Sequence, residues 1–217
     1  LMIPERGVLS IAGPSNVGKT RLVAALLAAL AAGDTTRLGL PQCDKAVISL
    51  WVANEERGDD IKRRLKSAFL QHGDKNSATI RLRAKDHGMF RLVALNEVGN
   101  PEIDEDAVAE LVEYVREIEA RVVVFDPYVT LSDAIDENSA ASAAVLTKAF
   151  NLVAELTGAA VIHIHHTPKN RDKDRDVIRG SSDGWRGSSA IYSALDCGFT
   201  LSNWMPKGGG QRKAWKS

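Results

Sequence analysis

The sequence predicts an α/β fold: a mostly parallel, twisted sheet with helices on both faces. Short apolar runs alternate with longer amphipathic or alanine-rich stretches, the pattern of repeated βαβ units. The runs at 46–53 (AVISLWVA), 121–126 (RVVVFD) and 159–165 (AAVIHIH) are almost continuously apolar, as strands covered on both faces must be. The first run, Val8 to Ala12, passes through a glycine-bearing loop straight into an Ala/Leu run, Arg21 to Ala32, of helical character.

Composition bounds the classes open to the chain. At 217 residues it suits one domain with a full core, and 44% hydrophobic with 26% charged residues is ordinary for a globular protein. The formal net charge is +0, which excludes a global basic field, so nucleic-acid binding would use a local patch. Cys43 and Cys197 form no metal spacing and fit free thiols in a reducing, cytoplasmic setting. The stretch Leu22 to Ala32 is too short to span a bilayer, so no membrane association is expected. The first apolar run carries the glycine loop and is not expected to be a signal peptide. The expected organisation is one domain over residues 1–203 and a loose Gly- and Lys-rich tail over 204–217.

The elements follow in order. Strand one ends at Ala12, and the helix from Arg21 to Ala32 is closed by Gly33. Thr35 to Lys45 is a polar loop, and strand two, Ala46 to Ala53, ends in Asn54-Glu55-Glu56. Asp59 is the expected N-cap of a helix from Asp60 to His72, with Ile61, Leu65, Ala68 and Phe69 on one face. Thr79 to Arg83 and Phe90 to Asn96 are short strand candidates, and Gly99-Asn100-Pro101 is a break. Asp104 caps a helix to Ala120, which leads into the strand Arg121 to Asp126. A helix from Ser139 to Thr157 is expected to bury Val145, Ala149, Leu152, Val153 and Leu156, with Gly158 ending it. The strand Ala159 to His165, a polar loop through Gly187, a short helix at 188–195 and a strand from Asp196 to Ser202 complete the domain.

Chemistry concentrates at the carboxyl ends of these strands, where an open α/β sheet places its ligand crevice. Gly13-Pro14-Ser15-Asn16-Val17-Gly18-Lys19-Thr20 fits G-x-x-x-x-G-K-[ST] at every fixed position, in the strand–loop–helix context the motif requires. Glycines let the backbone wrap so that its N–H groups meet phosphate oxygens, and the helix N-terminus adds partial positive charge. Lys19 is expected to reach the β- and γ-phosphates of ATP, and Thr20 to ligate Mg²⁺. Asp126, after a buried apolar strand, suits the opposite side of that Mg²⁺ site; the plain alternative is a strand-end cap. Pro127 follows it, so the base that activates water must come from elsewhere. Either Glu55 or Glu56 could supply it, and Glu55 is favoured. His165 and His166 end a strand at a position suited to sensing the γ-phosphate, whereas His163 reads as a core histidine. A zinc site from the three histidines is a further reading.

Two loop features carry the remaining expectations. Lys169, Arg171, Lys173 and Arg175 could meet DNA phosphates, with Trp185 the nearby aromatic, or else form a solvated loop. RGSS occurs twice, at 179–182 and 186–189, and an Arg before such a turn can reach a phosphate in its own or a neighbouring subunit.

With these residues in place the chain resembles the RecA/DnaB-type ATPases, most like the hexameric replicative helicases of the plasmid RepA kind. The matching stretches are GPSNVGKT, Glu55, VVVFDP, VIHIHHTPK and RGSSAI in that order, from about Ile3 to Asn203. The resemblance implies a RecA-like P-loop NTPase core, Mg²⁺-ATP hydrolysis and assembly into a homo-oligomeric, hexameric ring with ATP sites at subunit interfaces. It implies Glu55 as the water-activating carboxylate and His166 as the sensor. Asp196 stands where an arginine finger is expected after RGSSA, and Arg186 is taken for that role instead. The expected function is a Mg²⁺-dependent ATPase acting on DNA, most readily single-stranded, as a replicative helicase-like motor of the plasmid or phage type. The alternative is a RecA-like recombination or regulatory ATPase that switches a partner without unwinding. Behind these stand a nucleotide-binding scaffold and a small-molecule kinase, for which no Arg-rich lid or acceptor pocket is readable.

Overall fold

The computed structural model describes residues 5–43, 45–70, 79–87, 91–131, 140–166 and 196–201. Strand β1 (Val8–Gly13) is buried at every residue and is followed by helix α1 (Lys19–Ala32). Next come β2 (Ser49–Ala53), α2 (Gly58–Phe69) and β3 (Ile80–Ala84). A hairpin of β4 (Val93–Leu95) and β5 (Pro101–Ile103) precedes α3 (Glu105–Glu117) and β6 (Val122–Phe125). Helix α4 (Ala140–Thr157), β7 (Ala160–His166) and β8 (Cys197–Thr200) follow. The main sheet has six strands in the order β3-β2-β6-β7-β1-β8, and every neighbouring pair is parallel. The α/β class and the parallel sheet are therefore as the sequence predicts.

Strand alternation divides the core into two layers. Leu9, Ile11, Trp51, Val124 and Ile164 face α1 and α2, meeting Val23, Leu27, Ile61, Leu65 and Phe69. Val8, Val52, Val123, Phe125 and Val161 face α3 and α4, meeting Val108, Leu111, Val115, Phe150 and Val153. Both faces are covered, which is why the strands read as unbroken apolar runs. The largest buried side chains, Trp51, Phe125 and Phe150, each contribute about 2–3 kcal/mol through burial.

The structure departs from expectation at identifiable points. α1 begins at Lys19, two residues before Arg21, because Gly18 serves as its N-cap. α2 begins at Gly58 with extended Arg57 at the N-cap and no side-chain cap bond. Asp59 instead sits with Asp60 in the first turn, where carboxylates complement the helix dipole. Asp104 does cap α3, its carboxylate accepting from the Ala107 N–H at 3.0 Å. Pro101 does not simply break the chain but begins β5; proline is tolerated at the first residue of a strand. The turn before it is held by Asn96, whose side chain accepts from the N–H groups of Val98 and Asn100. α4 buries Ala149 and Val153 as expected, and Val145 and Leu152 pack against the core. Phe150 stacks on Phe125 and His163 with ring centroids 5.0 Å apart in both cases. Ala143, Leu146 and Ala154 are buried as well, whereas Leu156 is 43% exposed. The helix end at His72, the loops at 73–78 and 133–138, Gly88 and Phe90 lie outside the described residues. So do the loop from 167 to 187, the helix at 188–195 and the tail from 204.

Candidate functional site

Strand order builds the site. β7 lies between β1, which leads into the glycine loop, and β6, which leads into Asp126. Gly13 pairs with His166 across β1 and β7, and Phe125 pairs with His163 across β6 and β7. Because all the strands run the same way, the loop, His166, Asp126 and the Glu55 turn share one rim.

The loop conformation explains its glycines. A Cβ on Gly13 would lie 2.5 Å from the Leu201 carbonyl oxygen, so only glycine lets the chain after β8 pass. Gly18 has φ 102 with no atom near its missing Cβ, so there the backbone conformation itself demands glycine. Asn16 adopts φ 65, a left-handed conformation that asparagine tolerates. The first turn of α1 closes on the Gly18 carbonyl, which accepts from Leu22 N–H at 2.9 Å. The amides before it belong to a helix N-terminus, the backbone's own anion site.

Lys19 is 4% exposed. Its Nζ donates to the carbonyls of Gly13 at 2.8 Å and Pro14 at 2.9 Å, and lies 3.2 Å from His166 Nδ1. The ammonium donates, so Nδ1 accepts and the imidazole proton sits on Nε2. Burial pulls the Lys19 pKa below the usual lysine value, and the Asp126 carboxylate opposes that pull.

Asp126 is 9% exposed and precedes a cis peptide to Pro127. Burial pushes its pKa up to about 7, opposed by a hydrogen bond with the Thr20 side chain. The charges of Glu56 and then Glu55 push it further up, and Arg64 pulls it down. Thr20 and Asp126 are thus in contact, and two more carboxylates stand within electrostatic reach. Glu55 is exposed at the end of β2. Glu56 is half-buried, with Oε1 2.9 Å from Nη2 of Arg64 on α2. Beside them a groove of about 840 Å³ runs between α1 and α2, lined by Arg21, Ala25, Glu56, Arg64 and Ser67.

His163 and His165 are both 1% exposed on the α3/α4 face, whereas His166 turns to Lys19 on the other side of the strand. Burial, aided by His165, drives the His163 pKa down to about 3, so it is a neutral core residue stacked on Phe150. Strand pleating therefore separates His166 from His163 and His165. Among the described residues no group of three His, Cys, Asp or Glu side chains could hold a metal ion. A hydrated Mg²⁺ held by Thr20, Asp126 and nucleotide phosphates does not need such a cage, and the hard oxygen donors present suit it. The loop cradle and buried Lys19 likewise fit a nucleoside triphosphate.

Arg186, both RGSS turns and the basic residues from Lys169 to Arg175 lie outside the described residues. Asp196 is described, at the opposite end of the sheet, where its Oδ2 accepts from Val8 N–H at 2.8 Å. Sequence reasoning missed two residues. Buried Asn54 donates from Nδ2 to the Thr130 carbonyl at 3.1 Å, and Arg64 pairs with Glu56. Arg64 lies within a basic run, KRRLK at 62–66, and nothing in that run marks it out.

Cys43 and Cys197 are free cysteines. Among the described residues no helix is long and apolar enough to cross a membrane. None of the curated proteins compared matches the chain. A family model described as an AAA domain matches residues 1–172, which include the glycine loop, Glu55, Asp126 and His166. Loop, sheet order and family match agree: the chain belongs to the AAA_25 family of AAA domains, ATPases of the P-loop class.

Proposed function

We propose that this chain is a Mg²⁺-dependent ATPase that acts on DNA as a replicative helicase-like motor. The observation that carries the reading is the meeting of Lys19, Thr20, Asp126 and His166 on one rim. Lys19 exchanges the Gly13 and Pro14 carbonyls for β- and γ-phosphate oxygens, and the loop amides hold the rest of the phosphate chain. Thr20 and Asp126 would hold Mg²⁺, and the ion would neutralise charge on the phosphate oxygens. Glu55 accepts a proton from the water that attacks the γ-phosphorus, and the leaving oxygen stays with ADP. His166 loses its Lys19 contact when Lys19 turns to phosphate, and so reports nucleotide state to the segment that follows β7.

The order of motifs shared with the RepA-type helicases supports the DNA part of the reading. Single-stranded DNA would meet Lys169, Arg171, Lys173 and Arg175. A hexameric ring would place Arg186 of each subunit at a neighbour's γ-phosphate as an arginine finger.

The test is the ATPase rate with and without single-stranded DNA at two salt concentrations, together with strand displacement. Stimulation that weakens with salt is expected, because phosphate contacts release counterions. A rate indifferent to DNA overturns the DNA reading and favours a RecA-like switch acting on a protein partner. Stimulation without strand displacement keeps DNA as partner and removes the helicase.

A further inference from the structure

Glu55 lies in a turn whose two flanks are fastened to different parts of the fold. On one side is Asn54, 3% exposed, which donates to the carbonyl of Thr130 in the turn after β6. On the other side Glu56 is held twice. Its carboxylate meets Arg64 of α2 at 2.9 Å, and its carbonyl accepts from Lys85 N–H, just past β3, at 3.1 Å. The second Glu56 carboxylate oxygen is enclosed and has no hydrogen-bond partner among the described residues. Arg64 is therefore the cation that fixes this carboxylate. Without it, the negative charge would be left to rearrange beside Asp126 and Glu55, whose charges already interact. Glu55 itself stays exposed between two fixed neighbours.

We propose that Asn54 and Arg64 are positioning residues that hold the turn between β2 and α2 so that Glu55 is presented to the attacking water. This rests on the reading that Glu55 activates that water. Geometry gives the reason. A carboxylate on a loose turn samples many orientations, and a displacement of about 1 Å from reacting geometry can lower a rate by roughly a hundredfold. Fastening both neighbours removes backbone freedom at Glu55.

The experiment uses the full chain with Asn54→Ala, Arg64→Ala and Arg64→Lys, each alone and combined with Glu55→Gln. Three quantities are read: kcat and KM for ATP, the affinity for a fluorescent non-hydrolysable ATP analogue with Mg²⁺, and thermal unfolding. Asn54→Ala and Arg64→Ala are expected to lower kcat about tenfold while leaving analogue affinity unchanged. Arg64→Lys should recover part of the rate, because an ammonium can still pair with Glu56 through a single contact. On the residual rate of Glu55→Gln, neither change should lower turnover further. If Arg64→Ala fails to fold, Asn54→Ala and Arg64→Lys carry the test. Equal losses with and without Glu55 overturn the proposal, as does a loss of analogue affinity matching the loss of rate. If Glu55→Gln is slow but Asn54→Ala and Arg64→Ala turn over normally, only the positioning role falls. Wild-type turnover by Glu55→Gln removes the water-activating role and the positioning role with it.

Discussion

Two aspartates stand at opposite ends of the same sheet, and their surroundings are opposites. Asp196, just before β8, accepts the Val8 N–H at 2.8 Å, while its own N–H donates to the Val8 carbonyl at 3.2 Å. A backbone donor meets a carboxylate, and the amino end of the sheet closes on itself. Asp126, just after β6, also anchors its backbone, donating its N–H to the Val52 carbonyl at 2.9 Å. Its side chain, however, is buried, and two further carboxylates push against the support that the Thr20 hydroxyl and the Arg64 charge give it. The carboxyl end gathers the carboxylates of Asp126, Glu55 and Glu56 around the Thr20 hydroxyl, which is the electrostatic form of a cation site. Structure is completed at one end, and chemistry is left open at the other.

The largest effect tests the open end directly. Lys19→Ala should lower ATP turnover by roughly a thousandfold or more, because the charge that meets the phosphates is gone. The core beneath is independent of it, so circular dichroism should show the wild-type fold. Turnover near the wild-type rate would remove Lys19, and with it the rim, from the chemistry.

Asp126→Asn should separate function from stability. The wild-type carboxyl has its pKa raised to about 7. Its favourable contribution is therefore present in full below pH ~4 and is lost as pH rises through about 7. Asparagine does not titrate. At pH ~8 the variant should be more stable than the parent by on the order of 4 kcal/mol, a gap that closes as pH falls. Catalysis and the Mg²⁺ dependence of nucleotide binding should decline at the same time. Chemical unfolding across this range checks the sign, and a variant less stable at pH ~8 would mean that Asp126 is a structural cap like Asp196.

How far the sequence reveals each end follows from range. The glycine loop, Asp104 and the strands are written in contiguous residues, because strand burial and helix starts are local matters. The sheet order is not local. That β7 enters between β1 and β6, and so brings His166 to Lys19, depends on pairing between distant segments. Asn54 and Arg64 were silent for the same reason: their partners, Thr130 and Glu56, are chosen by strand exits and helix rotation. The α4 face is only partly legible: Ala149 and Val153 are buried as expected, but apolar residues cover so much of this helix that periodicity alone does not exclude Leu156 or single out Phe150. Asp59 shows a subtler limit, since acids at the cap and acids in the first turn look alike in sequence.

The centre of the sheet offers a control for the pH argument. His163, whose pKa is pushed down to about 3, stays neutral as its unfolded counterpart protonates below pH ~6.5. It favours the fold in full above that pH, and the benefit declines by about 1.4 kcal/mol per pH unit as acid is added. His163→Phe keeps a ring against Phe150 and removes the titration. Unfolding measured between pH ~4 and ~6.5 should show a shallower slope than the parent. An unchanged slope would assign the acid sensitivity to other groups. This window opposes that of Asp126, whose contribution weakens as pH rises, so the two residues can be read apart in one set of curves.

The smallest expected effect sharpens the contrast at its closed end. Asp196→Ala leaves the Val8 N–H without its carboxylate partner and should lower stability by about 1–2 kcal/mol. Nucleotide affinity should not change. Val8 and Gly13 are the two ends of β1, which at strand rise puts about 17 Å between the cap and the loop. Perturbations separated by more than ~10 Å with no shared partner act additively. Asp196→Ala combined with Asp126→Asn should therefore show the sum of the two separate stability changes, one negative and one positive at pH ~8. The link that could break this additivity is β8 itself. Its amino end carries Asp196, and just past its other end the Leu201 carbonyl oxygen lies 2.5 Å from where a Cβ on Gly13 would be. If loosening Asp196 also weakens nucleotide binding, that strand carries strain from the amino end to the glycine loop, and the two ends are mechanically one.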